Sequence, residues 1–100
     1  MDELKIEHLK GLSVISITKY LMNKFNLSHE EAYKKLLTSE TYKILMNSES
    51  GLYLESDEYL LKAIDLEFSG GKEKLYSYLG DNWLLKLTIQ LTGYNAHSVY

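Results

Sequence analysis

The sequence predicts an all-α protein, a compact bundle of four to six short helices. Apolar residues recur at spacings of three and four along most of the chain. Serine residues precede several of these stretches, at the positions where serine caps a helix. There is no proline to interrupt a helix. Together these observations favour a single helical domain over residues 1–100, large enough to bury one core.

The first helix is expected over residues 12–25, because four apolar residues in that stretch share one face. These residues are Val14, Ile17, Leu21 and Phe25. Residues 4–12 have a weaker helical periodicity, and Gly11 is expected to bend or end that segment. Ser28 and Glu31 then form an S-x-x-E capping box, so a second helix is predicted to begin at His29.

Further capping residues divide the middle of the chain. The second helix carries Ala32, Tyr33, Leu36 and Leu37 on its apolar face, and Ser39 is predicted to cap a third helical piece that contains Tyr42, Ile44, Leu45 and Met46. Residues 47–51 are rich in turn-forming residues and predict a loop. Ser56 is expected to cap the next helix, which Gly70 and Gly71 should end.

The C-terminal third leaves two alternatives open. A short helix is expected over residues 72–79 and should stop at Gly80. Residues 83–91 fit both a helix and a strand, and helix is favoured because only residues 52–55 offer a strand to pair with. The alternative is an α+β fold with a C-terminal strand at 83–91. Residues 93–100 are expected to form a loosely attached tail.

The side chains that carry most enzyme chemistry are absent or scattered. The chain has no cysteine, and its three histidines, His8, His29 and His97, lack the spacing of a zinc site. Paired acids such as Asp57 and Glu58 stand at predicted helix starts, where they complement the helix dipole. Phosphate-binding loops and nucleophile elbows are missing. We therefore expect a non-enzymatic protein with no metal and no cofactor.

Charge and hydropathy along the chain limit its partners. All eleven basic residues are lysine, and residues 27–70 hold four lysines against nine acids, so the middle of the chain should repel nucleic acid. The acidic start leads into no long apolar stretch, so neither a signal peptide nor a membrane span is expected. These features favour a cytoplasmic protein that does not bind membranes.

A helix-turn-helix pattern over residues 12–37 provides the alternative function, a DNA-binding regulator. Apolar residues, a turn residue at Asn26 and the Ser28 cap follow the spacing of that motif. Candidate DNA contacts are Lys19, Lys24, Lys34 and Lys35. DNA binding is nevertheless the less favoured interpretation, because acids follow His29 at the start of the second helix, where the base edges would lie.

Protein contact is the favoured function, either with another protein or with a second copy of the chain. Aromatic and apolar residues surrounded by acids are typical of partner surfaces. Such a surface is predicted from Leu52, Tyr53, Leu54, Tyr59, Glu49, Glu55, Asp57 and Glu58. The segment 83–91 is apolar on more than one side, which predicts a homodimer that uses Trp83, Leu85 and Ile89.

Residues 27–61 carry four short motifs that occur together elsewhere. The segment has an L-S-x-x-E-A opening, a T-Y-x-x-L helix, a G-L-Y-x-x-S turn and a Y-L helix. In these motifs it resembles a group of short uncharacterised helical proteins of low-GC bacteria, sometimes encoded beside toxin-like genes. The resemblance covers about a third of the chain and implies a small regulatory, antitoxin-like or adaptor role, without any catalytic residue.

Overall fold

Helices form nearly all of the chain that the structure describes. The computed structural model describes the backbone of residues 2–92 and the side chains of residues 2–80. Its α-helices are α1 (Glu3–Phe25), α2 (His29–Leu37), α3 (Glu40–Met46) and α4 (Asp57–Thr92), and two 3₁₀ turns, Ser48–Ser50 and Leu52–Leu54, join α3 to α4. Residues 2–92 contain no strand. The all-α bundle predicted from the sequence is confirmed.

Helix α1 is longer than the sequence indicated. It begins directly after Asp2, whose carboxylate accepts a hydrogen bond from the Lys5 backbone N–H at 2.8 Å. The predicted end of a segment at Gly11 is wrong, because the helix continues through that residue. A glycine inside a helix costs only about 1 kcal/mol. The preceding turn is held by buried Lys10, whose Nζ donates to the Met46 carbonyl at 2.9 Å and to Ser48 Oγ at 2.7 Å.

The connection from α1 to α2 is set by local interactions. Asn26 ends α1 in the left-handed conformation, with φ 53° and ψ 50°. Ser28 Oγ accepts from the Glu31 N–H at 3.2 Å, and the Glu31 carboxylate accepts from the Ser28 N–H at 2.9 Å. This reciprocal pair confirms the predicted capping box and starts α2 at His29. The three-residue connection, 26–28, has the length of the turn in a helix-turn-helix unit.

The segment between α3 and α4 is a folded connection and not an open loop. Ser39 caps α3 as predicted, since its Oγ accepts from the Tyr42 N–H at 3.0 Å. Buried Ser50 donates from its hydroxyl to the Ile44 carbonyl and accepts from the Leu52 N–H. Gly51, at φ 70°, separates the two 3₁₀ turns. The strand considered for residues 52–55 is therefore wrong.

Helix α4 starts where Ser56 predicted and is interrupted where Gly70 and Gly71 were expected to end it, but its second part continues past the predicted stop at Gly80. Ser56 Oγ accepts from the Tyr59 N–H at 3.2 Å, and Gly71, with φ 79° and ψ −174°, interrupts the helix. The stop predicted at Gly80 is wrong, because helical backbone extends to Thr92. Residues 83–91 are thus helical, and the alternative α+β fold is wrong. The predicted tail, 93–100, lies outside the described residues.

Side chains from all four helices meet in one apolar core. Of the apolar faces predicted for α1 and α2, Ile17, Leu21, Ala32 and Leu36 are buried as expected, whereas Phe25, Tyr33 and Leu37 are exposed. Helix α4 contributes core residues from both sides of the Gly71 interruption. The buried apolar residues are Ile17, Leu21, Ala32, Leu36, Ile44, Leu45, Leu52, Leu60, Ala63, Ile64, Leu75 and Leu79. This core holds α1 and α2 side by side, which positions the surface described next.

Candidate interaction surface

An exposed groove lies between α1 and the first turns of α2. It has a volume of about 240 Å³ and is lined by Val14, Ile15, Thr18, Lys19, His29 and Tyr33. We call it the α1–α2 groove. Ile15 is 51% exposed, and Leu12, one turn before it, is 48% exposed. Most of the groove is thus formed by apolar and aromatic side chains on two helices that the core fixes relative to each other.

Helix α2 contributes a wall of two rings. The capping box places His29 in the first turn, and because residues four apart share a helix face, Tyr33 lies beside it. Their rings are stacked, with centroids 6.2 Å apart and planes at 18°. Ala32 and Leu36 of the same helix are buried in the core, whereas His29 and Tyr33 are exposed. The ring pair therefore stays at the surface, where it can contact a partner.

Sequence reasoning missed the groove, although a signal for it exists. The face of α1 that carries Ile17 and Leu21 is buried, whereas Leu4, Leu12 and Ile15 lie on the opposite, exposed side. A helix with apolar residues on more than one side requires more than one covering surface. The sequence of α1 has apolar residues on more than one side, as residues 83–91 do. Only the tertiary structure shows that His29 and Tyr33 of α2 lie beside Ile15 of α1.

The predicted partner surface is partly buried. Leu52 is 2% exposed and belongs to the core, so the prediction that it faces a partner is wrong. The 3₁₀ turn directs it inward to pack with the helices. Tyr53 is half-buried against the core, and Tyr59 is half-buried with its ring centroid 4.8 Å from that of Tyr78. Leu54 is the exposed apolar member, at 58%.

An acidic ridge remains from that prediction. It consists of Leu54, Glu55, Asp57 and Glu58, and we use the name acidic ridge for these four residues. Asp57 and Glu58 are exposed, Glu55 is half-buried, and Glu49 is exposed on the preceding turn. Asp57 Oδ2 accepts a hydrogen bond from Ser16 Oγ at 3.0 Å. The ridge therefore lies directly alongside α1, next to Ser16.

The four lysines predicted for DNA binding do not form one open basic surface. Lys19 lies at the α1–α2 groove and forms no ion pair with the described side chains. Lys24 contacts Asp65 at 2.5 Å, and Lys34 contacts Glu30 at 3.2 Å. Lys35 lies over the Phe68 ring at 4.6 Å. Two of the four charges are therefore already paired with acids.

Several polar clusters fasten the helices to one another. The Tyr20 hydroxyl and the Lys24 ammonium both bind Asp65 of α4, and the hydrogen bond to Asp65 raises the pKa of both Tyr20 and Lys24. The Tyr76 hydroxyl donates to Glu40 at 2.6 Å, which raises the pKa of Tyr76 to about 12 and lowers that of Glu40. These contacts link helices distant in sequence and are structural.

Glu67 forms a cap that sequence reasoning did not anticipate. Its carboxylate accepts hydrogen bonds from the backbone N–H groups of Glu40 and Thr41, each at 2.8 Å, and from Thr41 Oγ1 at 2.6 Å. The carboxylate thus binds the positive end of α3 from α4. No local sequence pattern identifies a pair that lies 26 residues apart in the chain.

The remaining predictions concern residues beyond these surfaces. The structure describes side chains only for residues 2–80. Self-association through Trp83, Leu85 and Ile89 therefore stays a prediction. Within residues 2–80, no group of three or more His, Asp or Glu side chains is arranged to hold a metal ion. None of the described helices combines the length and the apolar character that crossing a bilayer requires.

Comparisons with models of protein families, with curated proteins and with solved structures found no match to the chain. The likeness of residues 27–61 to short bacterial helical proteins therefore stays a prediction. Functional inference for this chain depends on its surfaces and their chemistry.

Proposed function

We propose that this chain is a non-enzymatic interaction module that binds a protein partner through the α1–α2 groove. The observation that carries the proposal is the exposure of Ile15 and Tyr33 in a groove between two helices that a shared core holds in place. Exposed apolar patches with charged rims mark protein interfaces. A tyrosine beside an aliphatic side chain is the kind of anchor that contributes most to binding energy.

The chemistry of the groove favours binding over catalysis. Its titratable groups are Lys19, His29 and Tyr33, and no carboxylate lines it to orient His29 or to share a proton with it. His29 instead stacks on Tyr33. A surface that combines apolar area with one cation suits recognition of a side chain of complementary shape and charge. The regulatory, antitoxin-like or adaptor role implied by the resemblance is compatible with such a module.

Site-specific photo-crosslinking in the native cell tests this proposal. A photoreactive phenylalanine analogue at position 15 should give one discrete crosslinked protein, and Tyr33→Ala in the same chain should reduce its yield severalfold. The matched control places the analogue at Leu4, which is more exposed than Ile15 but lies outside the groove. If position 15 gives no discrete product, or the same product as position 4, the groove is not a binding site.

A helix-turn-helix regulator is the second candidate. The observation that favours it is the left-handed Asn26 followed by the Ser28 capping box, which places the exposed first turn of α2 after a tight connection. The ion pairs of Lys24 with Asp65 and Lys34 with Glu30 weaken it, because a DNA phosphate would have to displace those acids.

DNA binding is tested by fluorescence anisotropy on duplex DNA over a range of salt concentrations. A regulator would bind more weakly as salt rises, and replacing both Lys34 and Lys35 with alanine would flatten that dependence. We expect no salt-sensitive complex at micromolar protein concentrations. A complex that meets both criteria would establish the second candidate in place of the first.

A further inference from the structure

We propose that the partner of the α1–α2 groove is the acidic ridge of a second copy of this chain, so that two copies form a two-fold symmetric dimer. The inference deepens the proposed function and rests on it. It differs from the dimer predicted through residues 83–91, because the contact is made by Ile15, Lys19 and Tyr33 on one copy and by Leu54 and Glu58 on the other.

Charge complementarity is the first argument. Lys19 at the groove and Glu58 on the ridge are both exposed, and neither forms an ion pair with any side chain in residues 2–80. Glu55 and Asp57 add negative charge beside Glu58. The groove is therefore cationic at its rim, and the ridge is anionic, which is the arrangement that directs one surface to the other.

Shape and hydropathy agree with this charge pattern. Leu54 projects from a tight 3₁₀ turn with 58% of its surface exposed, and acids follow it closely in the chain. The groove offers an apolar recess formed by Val14, Ile15 and Tyr33, with Lys19 at its edge. A leucine inserted there would bury the exposed apolar side chains Leu54 and Ile15, while Glu58 reaches towards Lys19.

The position of the two surfaces explains why the dimer is symmetric. The hydrogen bond from Ser16 Oγ to Asp57 Oδ2 places the ridge on one flank of α1, and the groove lies on the other flank, towards α2. In a two-fold dimer the same patch of each copy meets itself. The groove of each copy can then bind the ridge of the other copy, which gives two identical contacts. The two-fold axis that relates them lies near exposed Leu12.

The backbone of α1 allows the close approach that this arrangement needs. Gly11 is exposed, and a Cβ atom built on it would contact no other atom within 4 Å. The helix is therefore flat at this point, beside Leu12, where the two α1 helices cross in the dimer. Leu12 of each copy then packs against the exposed backbone of the other copy's α1, which removes apolar surface from water.

Reciprocal charge reversal tests the pairing. In sedimentation velocity, the full chain should form a concentration-dependent dimer that weakens as salt rises. Lys19→Glu and Glu58→Lys should each weaken dimerisation by about tenfold or more, because each places like charges at both symmetric contacts. The double variant, and an equimolar mixture of the two single variants, should restore the dimer, because every contact again pairs opposite charges.

Matched controls reverse the same charges elsewhere. Lys74→Glu and Glu73→Lys are exposed changes on α4, away from both surfaces, and should leave dimerisation unchanged. Ile89→Asp should also leave it unchanged. A monomeric wild-type chain at high concentration, a dimer insensitive to both reversals, or a dimer lost only in Ile89→Asp would each overturn the inference. Circular dichroism confirms that each variant is folded.

The outcomes separate this inference from the proposed function. A monomeric chain whose position 15 still crosslinks to another protein refutes the self-pairing and leaves the interaction module intact. A crosslink between two copies that joins position 15 to the segment containing Leu54 supports both. A monomer without any discrete crosslink refutes both.

Discussion

Replacing Glu67 with alanine is expected to lower the free energy of unfolding by about 3 kcal/mol. The carboxylate binds the N-terminal end of α3 through the N–H groups of Glu40 and Thr41 and through the Thr41 hydroxyl. Thr41 is fully buried, so water cannot easily replace the lost acceptor there. The change therefore leaves a buried donor unsatisfied and removes a charge from the positive end of a helix.

The magnitude follows from these contacts. A hydrogen bond to a charged group contributes about 1.5 kcal/mol at the lower end of its range, and two backbone bonds are lost. Removing an anion from a helix N-terminus costs about 0.5 kcal/mol more. Water that binds the half-buried Glu40 N–H restores part of the lost stabilisation. The buried Thr41 hydroxyl also loses its acceptor, which increases the loss. The estimate is therefore about 3 kcal/mol in total.

Urea unfolding followed by far-ultraviolet circular dichroism measures the effect. With a denaturant dependence of about 1.5 kcal/mol per molar urea, the midpoint should fall by about 2 M. Glu67→Gln, which keeps one oxygen acceptor and loses the charge, should fall between the wild type and Glu67→Ala. Glu73→Ala, an exposed change on the same helix, is the control. A Glu67→Ala midpoint equal to that of the control would refute the reasoning.

Four other substitutions test local features. Ser28→Ala removes the capping box of α2 and should lower the unfolding free energy by about 1 kcal/mol in urea; an unchanged midpoint would mean that the cap contributes nothing. Gly71→Ala should lower the melting temperature by forcing a Cβ onto φ 79°, at a cost of about 2 kcal/mol. Gly70→Ala, which displaces only the flexible Lys74 side chain, should stay near wild type. Tyr76→Phe should destabilise by about 1 kcal/mol after allowance for solvent screening, since the Tyr76 residue is well exposed.

The Tyr76 variant also carries a pH signature. The hydrogen bond to Glu40 raises the pKa of Tyr76 from 10.0 to about 12, so above pH 10 the unfolded chain releases this proton before the folded chain does. The stabilisation by the pair is then fully present below pH 10 and is lost as pH rises towards 12. In the Tyr76→Phe variant, the free energy of unfolding should lack this part of its decrease at alkaline pH. An alkaline profile identical to that of the wild type would contradict the assigned pair.

Local rules succeeded where a few neighbouring residues decide the conformation. The caps at Ser28, Ser39 and Ser56 are each satisfied within three residues, so their positions could be predicted from the sequence. The interruption at Gly71 follows from the same kind of rule, because only glycine adopts its backbone angles without strain. These signals located the starts of α2, α3 and α4 and the interruption at Gly71.

The same rules failed at Gly11 and Gly80, where glycine does not end the helix. The preference against glycine in a helix is small, and other contacts of the surrounding turns can outweigh it. At Gly11 those contacts come from Lys10, which reaches the connection after α3, and its partners lie 36 and 38 residues away. Before Gly80, Leu75 and Leu79 anchor the helix in the core.

The candidate site divides in the same way. The sequence by itself determined the helical class, the capping pattern and the acids around Leu54, since these depend on residue type and spacing. The tertiary structure decided that Leu52 is buried, that Ile15 lies beside Tyr33, and that Asp57 meets Ser16. Side-by-side packing depends on how several apolar faces share one core, and residue spacing within a single helix does not encode it.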